Sequence, residues 1–256
     1  MLANIVITTF NRLNFTKQTI PNIIDTASDS ISYMITVVDN GSKDGTPEYL
    51  IELFNQKKIT NLILLPENIG VAKGQNLGWK LFENVSIYGK VDNDVLFHKK
   101  NWLNEIIYIL SNSSELGALG YNCEAKDCYS IIDNGAVKYR YKQGNIGGAC
   151  HFIPRAAQDI LGFWCEDYDK YGEEDADMGY RIVMAGLKNA YMIDENVMEH
   201  LPEPVTEYVE FKRKQRNDNL AGKWNQILTE YQSKQRPLRI ETNVLNEISY
   251  TLMSNL

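Results

Sequence analysis

The chain has 256 residues, 44% of them hydrophobic and 23% charged, enough apolar material for one large α/β domain or two small ones and too much for wholesale disorder. A formal charge of −7 argues against general nucleic-acid binding, and no apolar run approaches the roughly 20 residues that span a bilayer. Cys123, Cys128, Cys150 and Cys165 show neither pairing nor metal-ligand spacing, and no basic-then-apolar leader opens the chain, so the expectation is a soluble cytoplasmic protein with free thiols.

In chain order, "ANIVITTF" is a short β-branched run suited to a strand covered on both faces, and "NRLNFTKQTIPNIIDTA" follows at helical spacing with a bend expected at Pro21. "YMITVVDN" reads as a second strand, and "TPEYLIELFNQKK" as a helix with Thr46 at its N-cap and Pro47 first inside. A third strand "NLILLP", a third helix "GVAKGQNLGWKLFEN" and a fourth strand "VSIYGKVDND" complete the rhythm. Strand–helix alternation of this kind implies a mostly parallel sheet, whose ligands bind beyond the carboxyl ends of the strands.

From Leu116 to Pro154 the pieces "ALGYN", "VKYRYK" and "GGACHFIP" read as further strands, some antiparallel. "EEDADMGYRIVMAG" is a helix with acids in its first turn and Gly186 past its end, and "LKNAYMI" is a strand. Beyond Glu207 the chain reads as polar helix. Between Glu210 and Arg239, eight basic residues against three acids give a local charge of +5, leaving −12 elsewhere. Such a segment offers contact to a phosphate, an anionic lipid at the inner face of a membrane, or an acidic protein partner.

Four clusters carry the chemistry. Asp92 and Asp94 stand one residue apart at the end of the fourth strand, with Asn93 pointing the other way. Buried carboxylates need a positive partner, either a side chain or a hard divalent cation. "VVDNGSKDGT" ends the second strand in a Gly-rich turn that lets a ligand approach Asp39. "YGEEDADMGYR" places Glu173, Glu174, Asp175 and Asp177 at a helix start; Asp175 and Asp177, two apart, cannot share a face and should differ in role. His200 stands alone in "NVMEHLPE", while His98 and His151 read as background.

Together and in this order, the pieces resemble the inverting, family-two-like glycosyltransferases with the GT-A fold. "IVITTFNRLNFTKQTIPNI" resembles that family's opening strand, Thr-x-Asn-Arg loop and helix, and "VVDNGSKDGT" its nucleotide-binding turn. "ENIGVAKGQNLGWK" resembles the Asn-x-Gly…Asn-x-Gly element, "VDND" the D-x-D motif, and "GGACHFIPRAAQDILGFWCEDYDKYGEEDADMGYRIVMAGLK" the Gly-Gly strand, the Arg-bearing helix and the Glu-Asp helix. The match runs from Ala3 to His200. It implies a Rossmann-like, mostly parallel mixed sheet flanked by helices over residues 1–204, with a mostly helical extension over 205–256, basic in its first part.

The resemblance also implies roles. Asp39 would bind the nucleotide base, with Thr8, Phe10 and Arg12 lining the same pocket and Asn68, Lys73, Asn76 and Asn93 adding nucleotide contacts. Asp92 would face the ribose or the metal's water shell, while Asp94 and His200 would ligate the metal. An imidazole in an oxygen site tilts preference from Mg²⁺ toward Mn²⁺. Gly147 and Gly148 would admit the donor sugar, and Asp175 would be the catalytic base. The family usually has Gly directly before Glu-Asp; here the order is Gly172-Glu173-Glu174-Asp175, so Glu174 is the alternative base. The implied reaction moves a sugar from a nucleoside-diphosphate donor, by default a uridine diphosphate sugar, to a hydroxyl of a glycan, lipid-linked or protein acceptor. The alternatives are an inactive nucleotide- or glycan-binding module and a sugar-phosphate nucleotidyltransferase. The second lacks the glycine-rich triphosphate loop it would need in "TTFNRLNFTKQT".

Overall fold

The computed structural model describes residues 1–121, 127–133, 135–194, 196–202, 209–210, 212–214 and 222–256. Its first half follows the alternation read above: β1 (Ala3–Thr9), α1 (Leu13–Thr26), β2 (Tyr33–Asp39), α2 (Thr46–Asn55), β3 (Asn61–Leu64), α3 (Val71–Leu81) and β4 (Ile87–Val91). α1 runs on through Pro21. α2 starts one residue earlier than expected, because Asp44 takes the Thr46 amide and hydroxyl (3.2 and 2.6 Å) and left-handed Gly45 precedes it.

The remaining elements are β5 (Val95–Phe97), α4 (Trp102–Asn112), β6 (Leu116–Gly120), β7 (Cys128–Asp133), β8 (Lys138–Lys142), β9 (Cys150–Pro154), α5 (Arg155–Leu161), α6 (Glu174–Met184), β10 (Lys188–Met192), β11 (Met198–His200), α7 (Lys223–Gln232), α8 (Val244–Glu247) and β12 (Thr251–Ser254). Ten strands form one sheet in the order β12-β3-β2-β1-β4-β9-β6-β10-β8-β7, and β11 pairs with β5 as a separate ribbon. β3, β2, β1 and β4 are parallel, with β1 and β2 in register from Ala3↔Tyr33 to Thr9↔Asp39, so their carboxyl ends open on one side. β9 and β8 run antiparallel to their neighbours, making the sheet mixed.

The β1 residues explain why both faces are covered. Ile5 and Ile7 join one core with Val37, Trp102 and Phe152, while Val6, between them, joins a second with Val38, Trp79 and Trp164. α3 sits against β1 at Gly78, where a Cβ would stand 2.6 Å from Val6 Cγ1, so only glycine permits that approach.

The segment expected to be a helical extension also supplies a strand. β12 pairs antiparallel with β3 (Thr251↔Leu64), covering an edge that would otherwise present open backbone groups. α7 docks through a buried network. The Arg181 Nε donates to Asp177 Oδ1 at 2.6 Å, both side chains being 0% exposed. The same guanidinium donates to the carbonyls of Leu161, Phe163 and Leu238 (2.7, 2.9 and 3.2 Å). Asp177 Oδ2 accepts from the hydroxyls of Tyr231 and Tyr168 (3.0 and 3.3 Å). Asp177 is therefore an internal brace, distinct from Asp175 as its spacing required. Removing one member of such a pair strands a buried charge, so Arg181→Met is expected to lower the unfolding free energy in urea by about 3–5 kcal/mol; a loss below about 1 kcal/mol would contradict the brace.

Candidate active site

The carboxyl ends of β1 and β4 meet the turn before β9, the start of α6 and the end of β11 around a cleft of about 460 Å³. Its lining includes Thr8, Arg12, Gln75, Lys90, Asp92, Asn93, Asp94, Gly147, Gly148, Tyr171, Glu174, Asp175, His200 and Lys212. A smaller cavity of about 40 Å³ shares Thr8, Arg12, Val71, Asn93 and Tyr171 with it and adds Thr9, Phe10, Asn40, Asn68 and Lys170.

The two carboxylates that follow β4 each meet a cation. Asp92 pairs with the ammonium of Lys90, two residues earlier on the same strand face and 4% exposed. Burial works against that ammonium, but Asp92, Glu174 and Asp175 outweigh it and raise its pKa. Asp94 Oδ2 lies 3.0 Å from Arg12 Nη1 at the start of α1. Asn93 turns inward, donating to Thr9 Oγ1 at 2.7 Å. Arg12 was anticipated as a pocket residue; Lys90 was not, though the pleat that places residue 90 on the side of residue 92 is visible in "GKVDND".

His200 reaches Asp94 through the ribbon. β11 pairs with β5 so that His200 opposes Val95, and the Leu201 amide donates to the Asp94 carbonyl at 2.8 Å. His200 Nδ1 then stands 3.8 Å from Asp94 Oδ1, a buried oxygen with no hydrogen-bond partner among the described residues. A buried carboxylate oxygen left unsatisfied beside an imidazole fits a divalent cation, whose other positions suit water and a diphosphate. Asp92, already held by Lys90, fits that role less well. Among the described residues no three His, Cys, Asp or Glu side chains gather as a complete metal cage.

The opposite wall is the start of α6. Asp175 Oδ2 accepts from the Gly148 amide at 3.3 Å and Oδ1 from the Ala176 amide at 2.8 Å. Burial raises its pKa, while Lys90 and these amides draw it back toward the ionised form. Glu174 is buried further, accepts from the Gly172 amide at 3.1 Å, and is pushed up to about 8 by burial and then by Asp175. A carboxyl with that pKa holds its proton at neutral pH, whereas Asp175 is held by two amides and faced by the Lys90 ammonium.

The nucleotide side is mixed. Asp39 is 1% exposed, its Oδ2 accepting from the Ser42 amide at 3.0 Å; burial raises its pKa. Asn68 caps its own turn by accepting from the Gly70 amide at 2.9 Å. Asn76 departs from the expectation: fully buried, it donates to the Trp164 carbonyl (2.9 Å) and Glu166 (2.7 Å) and accepts from the Trp164 amide (2.9 Å), which makes it a brace for the loop before α6. Lys73 lines neither cavity and lies 3.8 Å from Glu247 of α8. His151 is buried against Trp164 (ring centroids 4.9 Å apart), its pKa lowered by burial and by Lys90 to about 3, in keeping with a background histidine. Cys128, Cys150 and Cys165 are free thiols, and Cys123 lies outside the described residues.

Residues 4–121 match the model of glycosyl transferase family 2. A Pyrobaculum calidifontis mannosyltransferase solved with GDP-mannose and Mn²⁺ superposes with a TM-score of 0.64 at 18% identity, covering 82% of this chain and 60% of its own. Over residues 4–121 the sequence is therefore similar to glycosyl transferase family 2, and the fold is that of the GT-A glycosyltransferases. GalNAc-T7, solved with UDP, GalNAc and Mn²⁺, shares the GT-A fold at a TM-score of 0.66 and 13% identity, over 79% of this chain and 44% of its own. A Haemophilus influenzae protein described as an uncharacterized glycosyltransferase is 24% identical over 148 residues, 57% of this chain and 43% of the relative. The GT-A chain thus spans less than half the length of that curated relative.

Glu174 makes the site's cost in stability depend on pH. Its folded pKa, about 8, exceeds the ordinary 4.5, so the stabilising contribution of its protonated form is complete below pH 4.5 and is lost as pH rises through 8. Urea unfolding between pH 5 and pH 8 is therefore expected to show a steeper decline for the wild type than for Glu174→Gln. Parallel profiles would contradict the buried protonated carboxyl.

Proposed function

We propose that the protein is a metal-dependent inverting glycosyltransferase that moves a sugar from a nucleoside-diphosphate donor to an acceptor hydroxyl. The observation that carries this reading is the unsatisfied Asp94 Oδ1 beside His200, facing Asp175 across one cleft. Asp94 and His200 would hold a divalent cation, Mn²⁺ favoured, which supplies charge stabilisation for a departing diphosphate. Asp175 removes the proton from the acceptor hydroxyl, and that oxygen forms its bond to the anomeric carbon. The bond from that carbon to the diphosphate oxygen breaks on the opposite face, inverting the centre. A positioned base of this kind contributes about 10²–10⁴-fold.

For the donor, a uridine diphosphate sugar is the first choice. The neighbours with bound nucleotides include UDP and UDP-N-acetylglucosamine complexes of Staphylococcus aureus TarS as well as the GDP-mannose complex. Asp39, which lines neither cavity but is buried at the end of β2, would take the base, with Thr8, Arg12 and Asn93 of the cleft and Phe10 and Asn68 of the smaller cavity around the nucleotide. The turn at Gly147 and Gly148 would lie against the sugar.

The basic C-terminal segment fits this site better than it fits a membrane. Arg236 pairs with Asp167 and Glu230 (2.6 and 2.9 Å), Arg239 with Glu241 (2.5 Å) and Lys223 with Asp169 (3.4 Å), so much of its field is compensated at home. Arg216 lies outside the described residues, and Lys212 lines the cleft. No described helix is long and apolar enough to cross a membrane.

Calorimetric titration of uridine diphosphate, with and without Mn²⁺, tests the reading. Binding is expected to require the metal, to weaken by at least about tenfold in His200→Ala, and to be lost in Asp94→Ala. Metal-independent binding that survives Asp94→Ala would refute the metal reading.

A further inference from the structure

We propose that Lys90 is a positioning residue: its ammonium ties the Gly147–Gly148 turn to the end of β4 and, by fixing the backbone on one side of the Gly148 Cα, helps to set the direction of the Asp175 carboxylate that the N–H on the other side holds. The inference deepens the assignment of Asp175 as base and rests on it.

The turn is held at three points. The Gly147 amide donates to the Tyr191 hydroxyl at 2.7 Å, the Gly148 carbonyl accepts from Lys90 Nζ at 2.6 Å, and the Ala149 carbonyl accepts from the Asp92 amide at 3.0 Å. The middle point fixes the 148–149 peptide, which is joined at the Gly148 Cα to the 147–148 peptide whose N–H reaches Asp175. That Gly148 amide donates to Asp175 Oδ2 at 3.3 Å. Lys90 also holds Asp92, so one buried ammonium joins the donor-side acid to the acceptor-side acid through a single glycine.

Two facts show that the arrangement is built around this side chain. Lys90 is 4% exposed, and a buried ammonium persists only where its donors are satisfied by charge or dipole, as Asp92 and the Gly148 carbonyl do here. A Cβ on Gly148 would stand 3.0 Å from Lys90 Nζ, close enough to press the ammonium by a few tenths of an ångström, and at ordinary contact, 3.7 Å, from the Asp175 Cβ. Without the ammonium, Asp92, Glu174 and Asp175 would face one another uncompensated, and the turn would lose the bond that orients it.

Lys90→Met keeps the side chain's length and removes its bonds. Hydrogen exchange over residues 145–150 is expected to quicken at least tenfold in this variant, with uridine diphosphate affinity within threefold of the wild type. Release of nucleoside diphosphate from UDP-N-acetylglucosamine or GDP-mannose is expected to fall about thirtyfold or more, since a base displaced by 1 Å loses rate on the order of 10²-fold. Gly148→Ala, which keeps the lysine but crowds it, should show the same split between turnover and affinity, and it decides the matter if Lys90→Met does not fold. Unchanged exchange, unchanged turnover in both variants, or a turnover loss matched by weaker donor binding would overturn the positioning role. A wild type that neither binds nor hydrolyses either donor would instead overturn the underlying assignment of Asp175, while the exchange rates would still decide the tie.

Discussion

Keeping carboxylates at the buried end of a parallel sheet is the constraint on which this site depends. Each acid there must meet a cation or remain protonated, and the structure uses both solutions within one cleft. Asp92 meets Lys90, Asp94 meets Arg12, and Glu174 carries its proton. What is left over is then informative. Asp94 Oδ1 has no hydrogen-bond partner among the described residues, and Asp175 is oriented by amides and moderated by Lys90. One is suited to a metal and the other to a proton.

The backbone supplies the convergence that the side chains exploit. In-register parallel pairing of β1, β2 and β4 brings Thr8, Asp39 and Asp92 to one rim. The short ribbon of β5 and β11 carries His200 across more than a hundred residues of sequence to Asp94. Behind the acceptor wall, Asp177 and Arg181 fix α6 against the end of α5 and the C-terminal segment. Asp175 and Asp177, two residues apart, thus have different surroundings, the first the cleft and the second the buried brace.

Much of this was legible in the sequence. Apolar runs with β-branched residues and intervening helical periods marked β1 through β4, and motif order pointed to the GT-A fold. β12 escaped because "TLMS" is short and half-exposed, gaining its strand character only from the open edge of β3. Asn76 stands in a family-like element, yet its two amide atoms are committed to the Trp164 loop, a commitment set by tertiary packing. Lys90 was readable from the pleat but lay beside more conspicuous acids. The approach of His200 to Asp94 depends on the register of a three-residue ribbon, which no local pattern specifies.

The central claim is that Asp94 and His200, and not Asp92, hold a divalent cation at the donor site. Anomalous diffraction from crystals grown with Mn²⁺ and uridine diphosphate tests it most directly. The account predicts one manganese peak roughly 2.0–2.3 Å from Asp94 Oδ1 and from an imidazole nitrogen of His200, with Lys90 still bonded to Asp92. A peak bound to Asp92 with Lys90 displaced, or bound nucleotide with no peak at all, would contradict it.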